Sequence, residues 1–328
     1  MIPAEPLLPL AAFQAASRRI GGRVRATPAM RSSWLSDATG GDVYLKLESL
    51  QITGSFKLRG AFNAALALAE RVPRGAAPPL VVTASAGNHG RGLAWAARAL
   101  GLGLVVFTPR DAPAAKRDAI RRLGADLRDE AGGYEETERL AKEYAAASGA
   151  VFISPYNDPD VVAGAGTAAL ELLEQVADLD LVLVPIGGGG LASGIGTVVK
   201  GLAPAVEVVG VEVEASHAFT ASIAAGRIVE VAVGPTLADG LAGNMDPESI
   251  TFEMVRRVVD RIVLVGEAGL AEAMRSLATR EHLVVEGAGA AVVAAVLRGD
   301  IPLAGRRAAC IVSGGNVDAA RLAAVLSA

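Results

Sequence analysis

From Leu80 onward the chain alternates short, continuously apolar runs with longer stretches of helical periodicity. Leu80-Val81-Val82-Thr83, Leu104-Val105-Val106-Phe107, Val151-Phe152-Ile153, Leu181 to Val184, Val206 to Val213, Ile262 to Val265 and Ala308 to Val312 read as strands, with a short one at Asp126 to Arg128. Strands without polar alternation are buried on both faces, and a parallel sheet clad by helices buries them in that way. The helices fall between them: His89 to Leu100, Ala114 to Leu123, Glu135 to Ala147, Val162 to Val176, one ending at Lys200, Thr251 to Val259, Ala268 to Arg280, Gly289 to Leu297 and one from Asp318. Ahead of Leu80 come a helix at Ala11 to Ile20, a turn at Thr27-Pro28, a helix from near Ser32, a strand at Val43 to Leu47 and a helix from Lys57 to Glu70. The fold class is α/β, with two three-layer αβα domains and mostly parallel sheets. Proline and glycine mark a hinge at Pro73 to Pro79. Residues 73–153 then form the smaller domain, and residues 1–72 with 154–328 the larger. A chain of 328 residues, 52% of them hydrophobic, is long enough for two such cores.

Charge and composition exclude several function classes. A net charge of −4, no basic stripe and only 4% aromatic residues leave nucleic-acid binding without its electrostatic footprint or stacking surfaces. Cys310, the one cysteine, lies in the apolar run Ala308 to Val312, which fits a reducing compartment and a core role. Pro3, Pro6 and Pro9, with no positive charge before Arg18, do not form a secretory signal. The longest uncharged run, Leu181 to Val199, is broken by Pro185 and by Gly187 to Gly190, so it reads as strand, loop and helix start rather than a membrane span. A cytoplasmic protein is expected.

Four segments carry chemistry. In Thr53-Gly54-Ser55-Phe56-Lys57 the pattern turns helical after Gly54, placing Lys57 in the first turn of a helix. The positive end of the helix dipole, together with burial, lowers the pKa of an amine there, as attack on a carbonyl requires. Lys57 is thus a candidate Schiff-base lysine; the alternative is a solvated lysine near Arg59. Ser85-Ala86-Gly87-Asn88-His89 joins a strand to a helix N-terminus, and its amides suit a carboxylate, unless it is an ordinary turn capped by Ser85 or Asn88. In Gly187-Gly188-Gly189-Gly190 four residues without Cβ let successive amides converge on one anion, a phosphate by preference. Gly194 is followed by Ile195, so this is no nucleoside-triphosphate loop, and a dinucleotide fingerprint through Gly187, Gly189 and Ala192 lacks a well-placed acid. Ser313-Gly314-Gly315-Asn316 follows the last strand and reads as a turn or as a neutral hydroxyl for a ring heteroatom.

An aldehyde for Lys57, a phosphate for the glycines, a ring nitrogen for Ser313 and a carboxylate for the Ser85 loop together describe pyridoxal 5'-phosphate with an amino-acid substrate. On these motifs the chain, from Arg25 to Asp318, resembles the threonine/serine dehydratase and serine racemase family of fold-type-II pyridoxal-phosphate enzymes. The resemblance implies a tryptophan synthase β-like architecture, with residues 73–153 as a small substrate-closing domain and the remainder binding the cofactor. It makes Lys57 the cofactor-bearing and catalytic lysine and Phe56 a neighbour of the ring. Asn88 would bond the phenolic oxygen, Gly187, Gly188, Gly189 and Gly190 the phosphate, Ser313 the pyridine nitrogen, and Glu286 would lie near the ring. Ser85, Ala86, Gly87, Asn88, His89 and Gly240 would line the substrate site. Gly287 stands where the family commonly has proline, and Ala86 where racemases place a second acid/base serine. The family's metal site would need an aspartate where this chain has Ala218 beside Glu212, so no metal is expected.

These correspondences imply α,β-elimination of L-threonine or L-serine to a 2-oxo acid and ammonia by a homodimer or higher homo-oligomer. A neutral Ser313 partner favours elimination over transamination, and Ala86 disfavours racemisation. A chain ending at Ala328 is expected to lack an isoleucine-sensing regulatory domain. The alternatives are a dehydratase for a bulkier or acidic β-hydroxy amino acid, such as 3-hydroxyaspartate or a hydroxyectoine-derived compound, a serine racemase, and a catalytically silent pyridoxal-phosphate or nucleotide-binding protein.

Overall fold

The computed structural model describes residues 7–73, 75–85 and 87–327; Pro3, Pro6 and Ala86, on which parts of the sequence reading rest, lie outside the described residues. Ten strands form two sheets: β1 (Ala29–Arg31), β2 (Asp42–Leu47), β3 (Val81–Ala84), β4 (Leu104–Pro109), β5 (Asp126–Ala131), β6 (Val151–Phe152), β7 (Leu181–Pro185), β8 (Glu207–Val213), β9 (Arg261–Val265) and β10 (Arg307–Val312). The larger sheet has the order β1-β2-β10-β7-β8-β9 and the smaller β5-β4-β3-β6. Every pair is parallel except β1 with β2.

Burial explains the missing polar alternation. Leu181 and Leu183 of β7 pack with Val209, Val211 and the helix Gly287–Arg298 on one face. Val182 and Val184 pack with Val208 and the helices Pro159–Gln175 and Gly190–Leu202 on the other. Both faces must be apolar because both are covered. In the smaller sheet Val81, Leu104 and Val106 share a cluster with Leu58, Ala61, Phe62 and Ala65 of the helix Lys57–Arg71, while Val82, Val105 and Phe107 meet Ala141 and Ala145 of the helix Tyr134–Ser148. The Lys57 helix therefore lies against the smaller sheet's core, and it also touches the helix Pro159–Gln175. That second contact depends on glycine: a Cβ on Gly60 would lie 2.5 Å from the Val161 carbonyl oxygen, and one on Gly164 2.5 Å from that of Arg59.

Two elements escape the sequence reading. The Thr27-Pro28 turn leads into β1, whose three residues on the sheet edge are too few to show a period. The helix Ala218–Ala225 has no side-chain cap of its own; the carboxylate of Glu212 on β8 accepts from the amides of Phe219 and Thr220, both at 2.8 Å. A cap supplied from a neighbouring strand leaves no local signature. Among the described residues no helix is long and apolar enough to cross a membrane.

Arg59 is fully buried, which removes the solvated neighbourhood that a merely structural Lys57 would require. Its guanidinium donates to Glu48 at 2.8 and 2.9 Å and to Glu171 at 2.7 and 2.7 Å, and Lys46 joins Glu171 at 2.7 Å. The network ties β2, the turn after it and the helix Pro159–Gln175 to the helix that Lys57 opens. Arg59→Met leaves the Glu48 carboxylate buried and unpaired, at a cost of about 3–5 kcal/mol. Its denaturation midpoint in urea is expected to fall accordingly; a midpoint equal to that of the parent chain would contradict this role.

Candidate active site

Lys57 is the first residue of its helix, as its spacing predicts. The approach is fixed by Gly54 at φ 78°, by a bridge between Ser55 and Gly314, and by the Phe56 amide donating to the Ser313 carbonyl at 3.0 Å. The Lys57 amine donates to the carbonyl of Pro155 at 2.8 Å and lies 5.1 Å from the centre of the Phe56 ring. Burial lowers its pKa to about 8, and the neighbouring Glu286 carboxylate limits the fall.

The glycine loop follows β7 and opens the helix Gly190–Leu202. Gly189 is left-handed at φ 83°. A Cβ on Gly188 would sit on the Tyr156 ring, 2.5 Å from Cδ1, and one on Gly187 would lie 3.0 Å from Leu241 Cα. The loop carbonyls of Gly188 and Gly189 are engaged by Thr251 Oγ1 and the Ser193 amide, both at 2.8 Å, whereas the four glycine amides donate to no group among the described residues. A phosphate fits this arrangement: donors are free, and the wall has no room for side chains.

Opposite, Ser313 follows β10 and is 3% exposed. Glu286 immediately precedes the helix Gly287–Arg298, its side chain making no cap bond to it, and Oε1 lies against the place where a Cβ of Gly314 would stand. Burial raises its pKa to about 7, against the lowering effect of the Asn88 amide that donates to it at 2.7 Å. Asn316 in turn donates to Asn88 Oδ1 at 2.7 Å and accepts from Arg91 at 2.7 Å. Gly287 has its own reason: any Cβ there would strike the Leu237 carbonyl.

The Ser85 loop is in part an ordinary cap. Ser85 Oγ accepts from the amides of Gly87 at 3.2 Å and Gly90 at 3.0 Å, so one of the loop amides expected to meet a carboxylate, that of Gly87, is already used. His89 is 2% exposed and neither ring nitrogen has a regular hydrogen bond; burial, and then Lys57, depress its pKa to about 3, so the imidazole is neutral. Ala86 lies outside the described residues.

One cavity of about 500 Å³ is lined by Phe56, Lys57, Ser85, Gly87, Asn88, His89, Gly187, Gly188, Gly189, Gly190, Gly240, Glu286 and Ser313, which is every proposed site residue that the structure describes. That volume suits a cofactor with a small substrate. The wall also contains groups the sequence reading did not select: Lys116 and Tyr134 from the smaller sheet's helices, Pro155 and Tyr156 after β6, Asp239, and Leu241 to Asn244. None has a motif of its own. Glu212, by contrast, stands apart as a helix cap, its oxygens taken by two amides and by the Thr220 hydroxyl at 2.6 Å.

Known proteins match this chain over nearly its full length. It is 42% identical over 312 residues to the L-threonine ammonia-lyase of Thermotoga maritima, covering 95% of this chain and 76% of that one. The crystal structure of a threonine deaminase from T.th. superposes with a TM-score of 0.84 at 39% identity, covering 94% of this chain and 98% of that one. A pyridoxal 5'-phosphate-dependent aspartate racemase gives a TM-score of 0.90 at 34% identity, covering 97% and 99%. The expected fold-type-II architecture holds. The family described as pyridoxal-phosphate dependent enzyme matches residues 20–314, and with a cavity that fits that cofactor, this chain belongs to the family of pyridoxal-phosphate dependent enzymes.

Proposed function

We propose that the chain is an L-threonine ammonia-lyase, converting L-threonine, and L-serine as a smaller analogue, to the 2-oxo acid and ammonia. The observation that carries this reading is the buried Lys57 amine, held near pKa 8 in the same cavity as the glycine cradle and Ser313. Relatives named L-threonine ammonia-lyase at 42% and 40% identity support it.

Pyridoxal phosphate, when bound, supplies an electron sink for the substrate's Cα. The amides of Gly187 to Gly190 would hold its phosphate, the Ser313 hydroxyl would serve its pyridine nitrogen, and the second hydrogen of the Asn88 amide would be available for its phenolic oxygen. Lys57 Nζ takes the proton from the substrate's Cα, a step suited to an amine whose pKa burial has brought near neutrality. The β-hydroxyl then leaves as water. The released enamine regains that water by hydrolysis, giving 2-oxobutanoate and ammonia from L-threonine. Residues 73–153 close over the substrate as a unit, supported by ion pairs that cross the cleft, Lys116 with Asp239 at 2.7 Å and Lys142 with Asp246 at 2.6 Å. Exposed apolar side chains at Met30, Leu50, Ile52 and Val284 support a homodimer, and a cytoplasmic location completes the reading.

Elimination rather than racemisation rests on the residue type at position 86, an alanine with no exchangeable proton where the racemases of the family carry a second acid/base serine; a positioned acid contributes ~10²–10⁴-fold to such a step. With L-serine, pyruvate is expected to form at least about 100-fold faster than D-serine. Chiral chromatography run beside pyruvate detection checks this, and equal rates for the two products would support the racemase alternative instead.

A further inference from the structure

The cavity walls bear three carboxylates, Asp111, Asp239 and Glu286, but among the described residues only two ammonium groups, Lys57 and Lys116. Lys57 is reserved for the cofactor. Lys116, on the helix Ala114–Arg121, donates to Asp239 Oδ2 at 2.7 Å. The two side chains are 29% and 43% exposed, so the pair sits at the rim of the cavity rather than in the core. Arg321 lies 3.7 Å from the same oxygen. The charge of Asp239 also reaches inward: Asp239 raises the pKa of Glu286 while Lys116 lowers it.

We propose that Asp239 is a specificity-determining residue that turns away amino acids with a second carboxylate and reserves the site for neutral β-hydroxy amino acids. The inference rests on the proposed elimination and narrows its substrate class. A carboxylate on the substrate's Cβ meets the like charge of Asp239 and finds the remaining lysine of the wall already paired, an arrangement that suppresses the wrong partner. The methyl and hydroxyl of threonine carry no charge and meet no such opposition. Asp239→Asn keeps the shape, removes the charge and frees Lys116.

The test compares the cofactor-loaded parent chain, Asp239→Asn and Asp239→Asn/Lys116→Met. L-aspartate has no β-hydroxyl to lose, so its dissociation constant is readable from the cofactor's absorption without turnover. Relative to L-threonine, binding of L-aspartate is expected to tighten about tenfold in Asp239→Asn and to keep part of that gain in the double variant, where the like charge is gone but no lysine is freed. An unchanged ratio in Asp239→Asn, or a double variant that binds L-aspartate no better than the parent chain, would overturn the proposal. A parent chain that releases no ammonia from L-threonine would refute the proposed reaction instead, and the L-aspartate dissociation constants would still decide the role of Asp239.

Discussion

Lys57→Ala is expected to cut 2-oxobutanoate release from L-threonine by about 10⁴-fold or more, since in the proposed reaction one residue both bears the cofactor and moves the Cα proton. The effect should be confined to chemistry. The alanine removes a single hydrogen bond to the Pro155 carbonyl, while the helix stays anchored by Arg59, Glu48 and Glu171 and by the Ser55–Gly314 bridge. Borohydride reduction of the parent chain should fix a pyridoxyl group on the peptide containing Lys57, found by mass spectrometry, and the variant should carry none. Label on any other lysine, or full turnover by Lys57→Ala, would show that the amine has been misassigned.

Gly188→Ala should badly damage the glycine cradle proposed for the cofactor phosphate. The added methyl would occupy the Tyr156 ring, 2.5 Å from Cδ1. That ring has little freedom: Tyr156 is 7% exposed, and its hydroxyl accepts from the Asp246 amide at 2.9 Å. The loop must therefore move, and overpacking of this kind costs about 1–3 kcal/mol. Cofactor affinity should fall by about 10–100-fold. Equilibrium titration with pyridoxal phosphate checks this, and Gly188→Ala/Tyr156→Ala should recover part of the loss. Parent-like affinity in the single variant would mean that the cradle is looser than the contact implies.

The main features of both fold and site were legible because they depend on local sequence. Continuous apolar strands marked parallel sheets, and the loops after β3, β7 and β10 carried the Ser85, Gly187 and Ser313 motifs at the strand ends where such sheets bind ligands. Lys57 was legible from the change of period after Gly54. What was not legible acts across long separations. The Lys57 amine meets Pro155, 98 residues away, and Asn88 meets Glu286, 198 residues away, contacts that only the packing of one sheet's helices against the other's loops creates. The hydroxyl of Ser85 shows the opposite difficulty: the sequence allowed it to serve a ligand or a helix end, and tertiary geometry gave it two amides. The cap of Ala218–Ala225 by Glu212 is of the same kind, since only the position of β8 beside that helix connects them.

In the proposed reaction L-threonine displaces Lys57 from the cofactor and is deaminated in this cavity. This is tested most directly by following the cofactor's visible absorption while L-threonine is added to the loaded chain and 2-oxobutanoate is measured in the same sample. A saturable spectral change is predicted, with one 2-oxobutanoate and one ammonia formed per L-threonine consumed. A spectrum that does not respond to L-threonine, with no 2-oxobutanoate formed, would contradict the account and identify a binder of pyridoxal phosphate rather than a lyase.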